Sequence, residues 1–332
     1  MDRFRGPGDL VGGHFRDSMK LTDIAGCVGG SLLFLLASMV IPFIGPFFSL
    51  LIPLPFLFYS TRLGLFQGMK LAVLAVLAIC LVAELAGLRQ MILLGVEFSL
   101  FGLFLSELFR KNLPIGRVMV FATGFMLALG AICLLVIALS KGMGPLEMIR
   151  SYMREHLRAS LEIYREMGVP REKTLELESF GKAFTGTILR IYPSLVIIGT
   201  GFTAWLNVVI ARPLFRAGRL PYPENLVMDR WQAPEPLVWV LIGSGFALFL
   251  PSGGITLLAL NALIVLMTVY LFQGMSILLF FLNKFHAPRW ARFGIYALVM
   301  IQQLFLVVLA LSGLFDQWID FRKIHRKDAA GG

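Results

Sequence analysis

Residues 22–139 form an almost unbroken series of apolar runs, at 24–43, 45–60, 67–88, 91–108 and 116–139, with short polar or charged breaks between them. These runs lie near or above the roughly 18–20 residues a helix needs to cross hydrocarbon. Inside lipid every backbone N–H and C=O must be satisfied, which leaves helices or closed barrels. Continuous apolar runs, rather than ten-residue alternation, select helices. The pattern predicts an all-α, polytopic integral membrane protein with eight or nine transmembrane helices.

Taken in order, residues 1–21 read as a polar tail with glycines at 6, 8, 12 and 13. No small-residue cleavage site follows it, so the first apolar run is expected to stay in the membrane as an anchor. A first helix over 22–43 carries Gly26 and Gly30, a small-xxx-small pair that lets another helix approach closely. That face serves either packing within the chain or docking of a membrane-protein partner. Residues 42–61 hold Pro42, Pro46, Pro53 and Pro55. Proline removes an N–H and clashes with the preceding turn, so a short, broken or re-entrant segment is expected here, with a kinked structural helix as the alternative. Broken segments often sit at transporter binding sites. Further helices are expected at 67–87, 91–109 and 117–139.

Residues 140–182 differ in kind. Leu146, Ile149, Met153, Leu157, Leu161 and Tyr164 recur at spacings of three and four, the mark of an amphipathic helix. Gly168-Val-Pro170 ends it, and a shorter helix through Leu175, Leu177 and Phe180 completes an extramembrane hairpin. This hairpin interrupts a six-helix core spanning 22–211, whose last helix is expected at 184–211. A polar connection at 212–236 follows, then C-terminal membrane helices at 237–250, 255–283 and 292–315, and a basic tail at 316–332.

Lys and Arg concentrate in the N-terminal tail, at Arg62 and Lys70, at Arg110, Lys111 and Arg117, and within 212–230 and 284–292. The positive-inside rule therefore places the N-terminus in the cytoplasm. Nine crossings would put the basic C-terminal tail outside. If segment 237–250 does not cross, the tail returns inside.

The chain of 332 residues is 58% hydrophobic and only 15% charged, against about 25% charged in soluble domains. A net charge of +10 fits loop cations that set topology and meet anionic headgroups. Nucleic acid is not an expected partner, because no long basic stripe interleaves with aromatics. Cys27, Cys80 and Cys133 each fall inside an apolar run and read as packing residues. The four histidines are scattered, and no metal-ligand spacing is present. No Walker motif, nucleotide fingerprint, HExxH or GxSxG occurs, so the chain is expected to be no enzyme and to need no cofactor.

The chemical hints are intramembrane ionisable groups, which cost at least ~2.5–3.5 kcal/mol at the bilayer centre. Glu97 is the deepest. Glu84, Arg89 and Arg190 lie nearer predicted boundaries, and Asn207 is polar within its run. Together they are candidates for a polar site that contacts a solute or carries a proton. The competing reading is ion pairing or snorkelling for the charged groups, and helix-tying hydrogen bonds for Asn207 and Asn261.

The C-terminal blocks LFQGMSILLFFLNK (271–284) and SGLFDQWIDFRK (312–323), with Asn207, Arg212, Trp231 and Pro234, resemble the YybS-like family of predicted bacterial membrane proteins. The densest part of that likeness is Gly313, Asp316, Asp320 and Arg322. The likeness implies a bacterial cytoplasmic membrane protein and leaves its function open. The stretch IPLPFLFYSTRLGLFQG (52–68) also resembles the substrate-binding subunits of energy-coupling-factor transporters. That second likeness implies a partner docked on Gly26 and Gly30. The expected function is a solute-binding or transporter-like component that takes its energy from a separate partner. The alternative is a non-transporting envelope scaffold or regulator. The pentapeptide LFQGM occurs twice, at 65–69 and 271–275.

Overall fold

The computed structural model describes residues 19–41, 43–223, 228–319, 321 and 322. Most of the N-terminal tail, Asp320 and the end of the basic tail lie outside these. The described residues form twelve α-helices: α1 (Leu21–Val40), α2 (Gly45–Ser49), α3 (Pro53–Leu63), α4 (Leu65–Leu85), α5 (Gln90–Arg110), α6 (Ile115–Ser140), α7 (Pro145–Glu166), α8 (Arg171–Ala217), α9 (Pro236–Ala247), α10 (Gly253–Lys284), α11 (Arg289–Ile301) and α12 (Gln303–Ile319). Seven apolar stretches are long enough to cross a membrane, the broken α2–α3 segment counting as one. There are eight if the bent pair α11–α12 counts as one span. The all-α polytopic expectation therefore holds.

The prolines explain the broken segment. Pro46 opens α2, and Pro53 and Pro55 sit in the first turn of α3. First-turn N–H groups have no intrahelical acceptor, so proline there loses nothing. Pro53 has no N–H to give the Ser49 carbonyl, so no continuous ladder runs through 50–52. Segment 237–250 contracts to the 12-residue α9, roughly 18 Å long against about 30 Å of hydrocarbon.

Two boundaries differ from the sequence reading. The hairpin is present, with Gly168 left-handed (φ 75°) at its turn, but its second arm does not stop near residue 182. It continues as the 47-residue α8 through the run expected at 184–211. Gly181 and Gly186 each weaken a helix by about 1 kcal/mol relative to alanine, which is too little to end one. Gly181 has a packing use, since a Cβ there would lie 2.4 Å from Leu157 Cδ1 of α7. The second difference is at 292–315, where one helix was expected. The chain turns by 101° between α11 and α12. Gln302 is extended there (φ −103°, ψ 102°), so two adjacent glutamines mark the corner.

The described residues divide into two compact units that interleave along the sequence, drawn from 1–134 with 199–225 and from 135–198 with 226–332. The first holds α1–α5, most of α6 and the C-terminal part of α8. Its core is apolar and aromatic, with Leu35, Ile52, Phe56, Leu57, Leu71, Ile79, Phe101 and Leu105 all fully buried. Gly102 lets α5 lie against α3, where a Cβ would come within 2.5 Å of the Pro53 carbonyl oxygen. Phe109, Phe215 and Tyr222 form an edge-to-face cluster with centroids 5.4–6.1 Å apart.

In the second unit a side chain repairs a proline break. Pro193 interrupts α8 one turn after Leu189, and the neighbouring Ser194 N–H leaves its usual acceptor. It donates instead to Asn261 Oδ1 of α10 at 2.8 Å. Asn261 Nδ2 in turn donates to the Arg190 carbonyl at 2.8 Å, the acceptor Ser194 would have used. The amide thus reads as a two-sided clip in an opened helix turn. Asn261→Ala should cost about 1–3 kcal/mol, because two buried backbone groups lose partners. Pro193→Ala in that background should recover part of the loss by restoring the local ladder. Thermal unfolding of the four forms of this double-mutant cycle would check the coupling.

Candidate functional site

Glu97 lies two turns inside α5 and is half-buried. Its Oε1 would stand 3.2 Å from a Cβ added to Gly130 of α6, so the carboxyl occupies space the glycine leaves open. Cys133 stands one turn further along α6. Among the described residues no cation pairs with Glu97.

The other sequence candidates fall elsewhere. Glu84 and Arg89 flank the α4–α5 turn and pair with each other at 3.1 Å in an exposed setting, a contact worth about 0–1 kcal/mol. Arg190 is exposed in the second unit, and its carbonyl receives the Asn261 clip. Asn207 is fully buried in the first unit. Its Nδ2 donates to the Leu50 carbonyl at the α2–α3 break (2.7 Å) and to the Thr203 carbonyl (2.8 Å), so it ties α8 to the broken segment. Gly26 and Gly30 face α3 of the same chain. A Cβ at Gly26 would overlap the Tyr59 hydroxyl, and one at Gly30 would lie 3.1 Å from Pro55 Cγ. This small-residue face is therefore occupied by helix packing within the chain.

Of the residues that carry the YybS-like likeness, Gly313, Asp316 and Arg322 assemble in the second unit. Gly313 crosses α10 at a point where its Cβ would lie 2.0 Å from the Tyr270 carbonyl oxygen. Three residues later, Asp316 Oδ2 accepts from Arg322 Nη2 at 2.7 Å, with both side chains fully buried. Asp316 Oδ1 accepts the Phe321 N–H at 3.1 Å. Arg322 Nη1 donates to the carbonyls of Asp229 and Trp231 and to Ser276 Oγ at 2.8–3.1 Å. Gln273 completes the group, donating to Asp316 at 3.1 Å and accepting the Ala233 N–H at 3.1 Å. A buried charge pair is tolerable only with its remaining hydrogen-bond capacity filled, and this network fills nearly all of it. Its effect is to fasten the connection around 229–233 to α10 and to the end of α12.

Sequence reasoning passed over Gln273 and Ser276, and also the Arg62–Asp23 pair (3.1 Å, Asp23 buried), which links the start of α1 to the end of α3. A signal for Gln273 was present. It stands in the second LFQGM, whose glycine, Gly274, would clash with Leu309 backbone if it carried a Cβ. In the first copy Gly68 likewise meets Ser60, at 2.5 Å from Oγ. In both copies the glycine sits at a tight helix crossing. Among the described residues no three His, Cys, Asp or Glu side chains gather where they could hold a metal ion.

Helices of these lengths, joined by buried polar ties, define a multi-pass α-helical membrane protein. The chain belongs to the family described as Predicted membrane protein (DUF2232), which it matches over residues 31–317. It is similar to the "Uncharacterized protein YybS" of Bacillus subtilis (strain 168), with 20% identity over 286 residues covering 85% of this chain and 90% of that protein. No solved structure matches. The YybS-like resemblance is thereby borne out, and these matches lend no support to the likeness to energy-coupling-factor subunits.

Proposed function

We propose that the protein is a solute-binding, transporter-like component of a bacterial cytoplasmic membrane, with its N-terminus in the cytoplasm and its energy drawn from a separate partner. The observation that carries this reading is Glu97, an intramembrane carboxyl that no described cation neutralises. A carboxyl at such depth is costly, and among the described residues no ion pair offsets that cost. It is a group able to take up a proton or to meet a cationic or hydrogen-bonding solute. The broken α2–α3 segment of the same unit supports the reading, because irregular backbone at membrane depth recurs where transporters bind solutes.

The scaffold or regulator reading rests on the α7–α8 hairpin, which leaves Tyr152, Ile163, Met167 and Phe180 exposed. Tagged wild-type and Glu97→Gln protein, purified from native membranes in mild detergent, would separate the two. Mass spectrometry of extracted small molecules and co-purifying proteins should find a metabolite retained by wild type and depleted in the variant at equal protein yield. Envelope-machinery proteins retained equally by both forms, with no ligand in either, would move the scaffold reading ahead.

A further inference from the structure

The first unit contains a concavity that the Glu97 reading does not use. It measures about 830 Å³ and is lined by the end of α5, the following turn, and the last turns of α8 with the chain beyond them. Three arginines are among the residues that line it, Arg110, Arg212 and Arg216. One nearby carboxylate, Glu107, is engaged by Arg110 at 2.8 Å. Neither Arg212 nor Arg216 has a carboxylate partner among the described residues. Arg110 and Arg216 are exposed to solvent and Arg212 is half-buried. Cations gathered around a concavity focus its field and concentrate anions there.

The walls are built to hold a shape. Phe109 and Tyr222 stack edge to face at 5.5 Å. The Tyr222 hydroxyl donates to the Val208 carbonyl at 2.9 Å, and burial pushes that phenol up to about 12 against the opposing pull of Arg212. Tyr222 thus forms a neutral, hydrogen-bonded part of the wall. Pro114, Pro221 and Pro223 stiffen the rim, and a pre-formed site saves ordering entropy on binding. Arginine's planar fork matches phosphate oxygens two at a time. The cavity also lies at the C-terminal ends of two candidate spans, Met91–Arg110 and Arg171–Ala217, where a spanning helix would meet headgroups.

We infer that this cleft is a binding site for a phosphate group, presented either by an anionic lipid headgroup or by a soluble phosphate compound. The inference is independent of Glu97 and stands or falls separately from it. The test uses the full chain in nanodiscs, as wild type, as Arg212→Gln/Arg216→Gln, and as a charge-matched control, Arg158→Gln/Arg171→Gln, on the hairpin. One arm measures phosphatidylglycerol retained after transfer to detergent, by native mass spectrometry. The other titrates pyrophosphate into protein held in phosphatidylcholine alone. At least one probe should bind wild type and the control about tenfold or more tightly than the cleft variant. Lipid retention would identify a headgroup, and pyrophosphate binding a soluble phosphate. Equal behaviour of all three forms toward both probes overturns the proposal. If the double variant does not fold, Arg216→Gln, which is exposed, should weaken binding several-fold, and an unchanged affinity there also overturns it.

Discussion

Asp316→Ala should lower the free energy of unfolding by about 3–5 kcal/mol, the usual cost of removing one partner from a buried ion pair. Arg322 would then be left fully buried with a charge that no carboxylate balances. Two further donors, Gln273 Nε2 and the Phe321 N–H, would lose their acceptor at the same time. Replacing both charges, as Asp316→Leu/Arg322→Met, should recover much of the loss, because apolar side chains of similar volume often match a buried pair. Recovery should stop short of wild type, since Gln273 Nε2 and the Asp229 carbonyl lose the partners the pair supplied, while the Trp231 carbonyl keeps Ser276 Oγ. Denaturant titration of the three forms in one detergent would show the ordering. Equal stability of Asp316→Ala and wild type would mean the pair does not hold this part of the fold.

The helix crossing beside that pair should be as sensitive to added volume. A Cβ on Gly313 would lie 2.0 Å from the Tyr270 carbonyl oxygen and 2.7 Å from the Gly274 nitrogen, and one on Gly274 would lie 1.9 Å from the Leu309 carbonyl oxygen. These neighbours are backbone and cannot rotate away, so α10 and α12 must separate. Separation would also lengthen the Gln273–Asp316 contact, carried on the same two helices. Overpacking typically costs about 1–3 kcal/mol. Gly313→Leu should exceed that range and show a large loss of monodisperse protein, with Gly313→Ala intermediate. Gly243→Ala is the internal control: it lies in α9 with no atom near its Cβ position, and should be neutral or stabilising by up to about 1 kcal/mol. If the Gly313 substitutions melt with wild type, the close crossing is wrong. Because Gly313 and Asp316 share neighbours, their effects should not add.

Features held within one stretch of chain were legible in the sequence. The apolar runs located the spans, Gly168-Val-Pro170 located the hairpin turn, and four prolines marked the broken segment. Local weakness of signal explains the misread boundaries. Two glutamines at 302–303 do not announce a right-angle corner, and nothing between Arg171 and Pro193 separates a surface arm from a membrane helix. The remaining features depend on residues far apart in sequence. Asn261 repairs Pro193 from 67 positions away, and Arg322 reaches carbonyls 91 and 93 positions back. The arginine cleft joins residues near 110 to residues near 216. Gly26 and Gly30 were visible as a packing face, but the identity of what packs there, Tyr59 and Pro55, was not. Glu97 was legible as an anomaly because of its depth, and its lack of a cationic partner needed coordinates.

Thermal unfolding of Glu97→Leu in nanodiscs tests most directly the claim that this carboxyl serves function rather than folding. Leucine has a similar volume and suits the interior of a span. With no ion-pair partner among the described residues to lose, the variant should melt at or above the wild-type midpoint. A midpoint several degrees below wild type would show that Glu97 holds the fold together, and would remove the observation on which the transporter reading rests.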